Sequence, residues 1–220
     1  LRVVRPRQNL TERLGHDTLG GMSETWTVAY AAKTETERSW TQPVPSESLT
    51  IVDSLDTPKD APVIDIGGGA SYLVDNLVRR GFTDVTLLDL SQEALEESRA
   101  RNGDSVTCIA HDVTTWHPDR AYALWHDRAV FHFMETKEQQ DLYVRALLEG
   151  TTVGSHLIVA TFAPDGPETC SGLPVTRWSE GELAARFADN FAVVSHFRSS
   201  HTTPWDAVQP FTFVSFVRTR

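Results

Sequence analysis

Three aspartates and a run of glycines are the residues of this sequence best placed to do chemistry. Asp65-Ile66-Gly67-Gly68-Gly69-Ala70-Ser71 follows a short β-branched run, and a glycine turn at the end of a strand lets backbone approach a bound cofactor closely. Such turns serve nucleotides, or only tight packing. Asp89 lies 20 residues after Gly69, the spacing at which a carboxylate ending the next strand can accept both hydrogen bonds of a ribose diol. A solvated Asp in a helix-entry turn is the plainer alternative. Asp112, in Ile109-Ala110-His111-Asp112-Val113, follows a third strand, where a carboxylate can accept from an adenine amino group while an apolar neighbour covers the ring. Acids at three successive strand ends together favour a site for an adenosine-bearing cofactor.

Histidines and aromatics supply a second set of candidates. His111, His117, His126 and His132 fall within 22 residues, yet no pair has i, i+4 ligand spacing and no cysteine joins them, so a metal site is not expected. His132, in Phe131-His132-Phe133, also reads as a core residue. Trp26 and Tyr30 are four apart and share one helix face, with Trp40 following; packing onto the sheet edge would account for all three. The stretch Ala163 to Trp178, with Pro164, Gly166, Pro167, Gly172 and Pro174, is too long for an idle connection and reads as folding over a site. The loop before the last strand offers His201, Thr203, Trp205 and Asp206.

The elements that must position these residues alternate from Ala61 onward. Pro62 to Ile66 reads as a buried strand entering the glycine turn. Leu73, Val74, Leu77 and Val78 then recur at helical spacing, with Arg79 and Arg80 in the last turn and Gly81 as a stop. Val85 to Asp89 is the second strand, and Ser91 is placed to cap a helix ending near Asn102-Gly103. Strands follow at Val106 to Ile109, Tyr122 to Trp125 and Leu157 to Ala160, with a helix over Lys137 to Leu148. After a helix at Glu180 to Ala188, Phe191 to Phe197 and Phe211 to Val217 read as strands with no helical pattern between them, so they should be antiparallel neighbours. The pattern predicts a doubly wound α/β fold: a mostly parallel seven-stranded sheet ending in an antiparallel hairpin, with helices on both faces.

Composition bounds the rest. The 220 residues suit one domain, and 30 acidic against 20 basic residues give a net charge of −10, which disfavours nucleic acid and anionic lipid as general partners. No apolar run approaches the roughly 18 residues of a membrane span. Two distant cysteines, Cys108 and Cys170, suggest no disulfide framework and make a reducing cytoplasmic setting the expectation. Residues 1–21 are rich in arginine and read as an N-terminal extension ahead of a start at Met22, with a transit peptide as the alternative. Residues 22–60 would form an N-terminal helical segment and 61–220 the main domain.

The segment VIDIGGGASYLVDNLVRRGFTDVTLLDLS, the IAHDV stretch and the terminal hairpin pattern together resemble the class I S-adenosylmethionine-dependent methyltransferases. The resemblance implies S-adenosyl-L-methionine as cofactor. It implies Asp65 and Gly67 near the methionine part, Gly69 as the second motif glycine, Asp89 and Leu90 at the ribose and adenine, and Asp112 and Val113 at the adenine edge, with Gly68 and Ser91 also binding cofactor. Ser71 stands where many members carry another glycine. Trp26, Tyr30 and Trp40 would belong to a lid that keeps water from the reaction. The strand-four turn Trp125-His126-Asp127-Arg128-Ala129 would face the methyl acceptor, and it is similar to that of thiopurine and citrate synthase-lysine methyltransferases, with Ala129 in place of glycine. There Asp127 and Arg128 are candidate catalytic residues, with Arg128 equally suited to be a strut against an acid. His126 or His132 would be a general base, and Trp205 and His201 would meet the substrate. The expected acceptor is a small molecule, with a protein lysine as rival and a non-catalytic S-adenosylmethionine-binding module as the reading from another class.

Overall fold

The computed structural model describes residue 38 and residues 40–220. Trp26 and Tyr30, the extension over 1–21 and residues 22–37 and 39 of the predicted lid lie outside the described residues. The element order is α1 (Ser46–Ser54), β1 (Val63–Ile66), α2 (Leu73–Arg79), β2 (Val85–Asp89), α3 (Gln92–Asn102), β3 (Val106–Ala110), β4 (Leu124–Arg128), α4 (Lys137–Glu149), β5 (His156–Phe162), a two-stranded hairpin β6 (Thr169–Cys170) and β7 (Leu173–Pro174), α5 (Glu180–Phe187), β8 (Phe191–Thr202) and β9 (Val208–Arg218).

Seven strands form one sheet in the order β3-β2-β1-β4-β5-β9-β8. The first five run parallel, and β9 is antiparallel to both β5 and β8. Strand period 2 divides the sheet side chains between two cores. Ile64, Ile66, Trp125, Leu157, Val159, Val214 and Phe216 pack with Tyr143, Ala146 and Leu147 of α4 and with Leu183 and Phe187 of α5. Val63, Leu87, Leu124, Ile158 and Ala160 pack with Leu49 and Val52 of α1, with Leu73, Val74 and Leu77 of α2 and with Leu95 of α3. The predicted architecture, helices on both faces included, is the one observed. Ser91 caps α3 as expected, its hydroxyl accepting from the Ala94 N–H at 3.2 Å. Among the described residues no helix is long and apolar enough to cross a membrane.

Two boundaries differ from expectation. Strand four runs over Leu124–Arg128 rather than Tyr122 to Trp125, so His126, Asp127 and Arg128 are strand residues, not turn residues. Polar side chains in succession read as a turn, but here each finds a partner inside the sheet or across its end. The terminal strands also extend into the stretch read as loop, which leaves only residues 203–207 as the tip. Polar residues such as Arg198, Ser199 and Ser200 sit on an edge strand, where one side faces solvent and apolar patterning is not required.

The strand order reverses between β1 and β4. A crevice outside the carboxyl ends of these strands is where an open α/β sheet binds ligands.

Candidate active site

The parallel register sets Asp65 of β1 directly beside His126 of β4, which puts both side chains on the α1 face of the sheet. Asp65 Oδ1 lies 2.7 Å from His126 Nδ1, and His126 Nε2 lies 2.8 Å from the Ser48 hydroxyl of α1. Ser48, Asp65 and His126 are all at most 3% exposed. A carboxylate oxygen only accepts, so Nδ1 carries the proton it donates, and in the neutral ring Nε2 accepts from Ser48. Asp65 Oδ2 is buried with no hydrogen-bond partner among the described residues.

The glycine turn is shaped around this carboxylate. A Cβ on Gly68 would lie 2.1 Å from Asp65 Oδ2, and one on Gly67 would lie 2.1 Å from Val130 Cγ2. Gly67 and Gly69 also hold φ of +61° and +51°, the left-handed region that penalises a side chain. Close approach and backbone shape thus require glycine at this strand end.

Asp89, at the end of β2, is buried and accepts from the Ser91 N–H at 2.8 Å. The backbone N–H groups of Gly69 and Leu90 also support it. Desolvation nevertheless dominates and, with the nearby Asp65 charge adding to it, raises the carboxyl from 3.8 to about 7. Asp112 accepts from the Thr114 N–H at 2.8 Å and its hydroxyl at 2.7 Å, both on Oδ1. Val113 beside it is buried.

On β4, side chains alternate between the two faces. Asp127 points the other way from His126 and is fully buried, accepting from Val130 N–H (2.9 Å), Phe131 N–H (3.0 Å) and the Tyr143 hydroxyl (2.7 Å). Burial pushes its carboxyl up to about 6 despite these donors. This aspartate holds the chain reversal after β4 and does not line the cleft. Arg128 donates to the Trp40 carbonyl at 2.6 Å and to Gln42 Oε1. Desolvation lowers its pKa, and the charges of Asp65 and Glu47 oppose that shift. Its hydrogen bonds go to the segment preceding α1 rather than to an acid, and it also lines the cleft. Ala129 holds φ of +69°, which explains why glycine suits this position and costs alanine roughly 1 kcal/mol.

These strand ends surround one cleft. It brings together Asp65, Gly67, Gly68, Asp89, Leu90, Asp112, Val113, His126, Arg128 and Trp40. Gly69 and Ser91 do not line it, and their backbone N–H groups meet Asp89. Sequence reasoning missed Ser48, Tyr72, Val130, Phe133, Met134 and Cys170, which also line it. The 163–178 stretch was expected to fold over the site, and Cys170 of its hairpin does reach the cleft. Phe133 and Met134 lie in a 3₁₀ turn and its exit, where no periodicity marks a face.

Four predicted site residues need correction. His132 is fully buried against Phe133 and Phe162, neither ring nitrogen has a hydrogen-bond partner among the described residues, and burial lowers its pKa to about 3. It is a neutral core residue outside the cleft and cannot take a proton from an acceptor. His126 is engaged at both ring nitrogens, which leaves no free lone pair for a general base. Trp205 is 55% exposed at the hairpin tip and lines no part of the cleft. His201 meets Gln42 Nε2 at 3.1 Å and lines a small neighbouring cavity with Glu47, Arg128 and Ser199. Among the described residues no cluster of His, Cys, Asp and Glu has the arrangement to hold a metal.

Among the described residues the cleft carries three carboxylates and one arginine, whose guanidinium donates to Trp40 and Gln42. Ile66, Leu88, Leu90 and Val113 supply apolar wall. Such a site suits a cationic molecule with a polar diol and a flat ring.

Residues 63–147 match a family described as a methyltransferase domain. A search of curated proteins returned no match. Among solved structures, the Burkholderia thailandensis 1,6-didemethyltoxoflavin-N1-methyltransferase, with bound 1,6-didemethyltoxoflavin and S-adenosylhomocysteine, superposes with a TM-score of 0.71 at 17% identity, covering 99% of this chain and 94% of that one. A protein from work on the conversion of a disulfide bond into a thioacetal group during echinomycin biosynthesis gives 0.72 at 18% identity, over 90% and 92%. The glycopeptide N-methyltransferase MtfA, complexed with S-adenosyl-L-methionine, gives 0.60 at 13% identity, over 78% and 92%.

Proposed function

We propose that this chain, whose fold is that of the class I S-adenosylmethionine-dependent methyltransferases, transfers a methyl group from S-adenosyl-L-methionine to a nucleophilic N, O or S atom of a small organic acceptor. The observation that carries the reading is the convergence of Asp65, Asp89 and Asp112, from three adjacent strand ends, on a single cleft. The residues fit the cofactor chemically. Asp89 would accept from the ribose diol, Asp112 from the adenine amino group with Val113 and Leu90 against the ring, and the unpartnered Asp65 Oδ2 would receive the ammonium of the amino-acid end.

Bound there, the cofactor supplies a methyl group already activated on a sulfonium, so the work left to the protein is orientation and desolvation. Val130, Phe133 and Met134 give the cleft apolar surface next to the β4 end, where an acceptor could be held free of water. Trp40 is drawn over the cleft by Arg128, and the segment from Trp40 to Ser48 acts as the described part of a lid. No histidine of the β4 region is placed to serve as base, so the acceptor would lose its proton to solvent or reach the site deprotonated.

A small acceptor is favoured by the apolar cleft wall. The toxoflavin-precursor enzyme of the same fold works on such a molecule. A protein lysine is the rival acceptor, and a module that binds cofactor without turnover is the reading from another class. Cys108 and Cys170 form no disulfide, in keeping with a cytoplasmic setting.

Incubating the protein with cell lysate and cofactor carrying a tritiated methyl group separates these readings. Label in the small-molecule fraction is expected. Label in protein would move the assignment to a protein acceptor, and label in neither would favour the binding module.

A further inference from the structure

We propose that Ser48 and His126 are positioning residues for cofactor recognition: they lock the Asp65 carboxylate so that Oδ2 meets the ammonium of the cofactor, and so tie binding of the amino-acid end to the seating of α1. This inference rests on the reading of the cleft as an S-adenosylmethionine site.

The geometry has three parts. Asp65 and His126 are register partners on adjacent parallel strands, so the 2.7 Å contact between Oδ1 and Nδ1 is built into the sheet and does not depend on a flexible loop. That contact consumes one carboxylate oxygen. The other is buried, unpartnered among the described residues, and crowded over Gly68, where even a Cβ would lie 2.1 Å away. A buried carboxylate oxygen without a donor costs free energy until a ligand supplies one.

The third part lies on α1. Ser48 is in the first turn of α1 and 1% exposed, and its hydroxyl lies 2.8 Å from His126 Nε2. This contact fixes the ring orientation and, through it, the proton on Nδ1. Two positions along β4 on the same face, Arg128 holds the Trp40 carbonyl and Gln42. Alternate residues of one strand thus grip the segment leading into α1 and the helix itself, and the first of them also grips Asp65. A ligand that stabilises the Asp65 rotamer also stabilises the Ser48 contact.

Calorimetric titration with two probes tests the proposal: S-adenosylhomocysteine, which has the ammonium, and 5′-methylthioadenosine, which has the adenosine and sulfur but no amino-acid end. His126→Leu should weaken S-adenosylhomocysteine by about tenfold or more, the loss expected when a hydrogen bond to a charged group is no longer organised. It should leave 5′-methylthioadenosine within about twofold. His126→Asn, whose amide can donate where Nδ1 does, should recover most of the loss, and Ser48→Ala should show the same selectivity at about threefold. S-Adenosylhomocysteine should slow hydrogen exchange over residues 46–54 in the unaltered protein, and this slowing should vanish in His126→Leu. If either variant weakens both probes equally, or neither, the positioning role is overturned while the cofactor reading stands. If the unaltered protein binds neither probe, both fall together. Ser48→Ala keeps the test open should His126→Leu fail to fold.

Discussion

Cofactor affinity should fall as the solution is acidified through neutrality, and Asp89 sets the size of the effect. Its carboxyl is held near 7 rather than 3.8 by burial and by the Asp65 charge. A ribose diol donates two hydrogen bonds, which an ionised carboxylate accepts and a protonated one cannot fully accept. Binding then requires Asp89 to lose its proton, and the apparent dissociation constant rises as protonation takes over. With a pKa of about 7, the constant at pH 6 should be about tenfold larger than at pH 8, approaching a further tenfold for each unit below that. Stability runs the opposite way in sign. A raised folded-state pKa contributes stability that is fully present below the unfolded value and is lost as pH rises through about 7, so the ligand-free protein carries the cost of a buried charge at neutral pH that the diol relieves. The assay is calorimetric titration of S-adenosylhomocysteine from pH 6 to 8 in buffers of differing ionisation enthalpy. About one proton should be released per ligand at pH 6 and almost none at pH 8. Asp89→Asn should bind more weakly and lose the slope, and Asp65→Asn should move the midpoint to lower pH. A flat affinity profile with no proton release, shared by Asp89→Asn, would refute the argument.

Other residues give separate tests. Asp127→Ala leaves the Val130 and Phe131 N–H groups and the Tyr143 hydroxyl without their buried acceptor, and urea unfolding should show a loss of about 3–5 kcal/mol. Gly67→Ala should lower both stability and cofactor affinity through the clash with Val130 and the positive φ. Adding Val130→Ala should restore only the clash component and leave roughly 1 kcal/mol of backbone strain, measurable in thermal melts. His132→Leu removes two unpartnered buried nitrogens and should leave stability equal or about 1 kcal/mol higher, with methyl transfer intact. Loss of turnover in a folded His132→Leu protein would return that residue to the chemistry.

The fold was legible because its signals are local and strong. Val63 to Ile66 and Val85 to Asp89 are short, mainly apolar and β-branched runs bounded by turns, the pattern of buried parallel strands. Asp89 could be placed because its distance from the glycine turn is a matter of chain length alone. Strand four was read short because His126, Asp127 and Arg128 are polar, and only the partners supplied by Asp65, Tyr143 and the Trp40 segment let them enter the sheet. The same long-range pairing hid the site roles of Ser48, 78 residues from His126, and of Met134, whose contribution depends on a short 3₁₀ turn. His132 and His126 look alike in sequence as candidate bases. Only the structure shows that one is sealed in the core and the other is held on both sides.

The central claim, that three strand-end aspartates build a site for an S-adenosyl cofactor, is tested most directly by titrating S-adenosylhomocysteine into the purified protein and into its Asp89→Ala variant. Micromolar-scale binding by the unaltered protein, weakened about a hundredfold or more in the variant, is the predicted result. Absence of binding at millimolar ligand, or equal affinity in the two proteins, would contradict it.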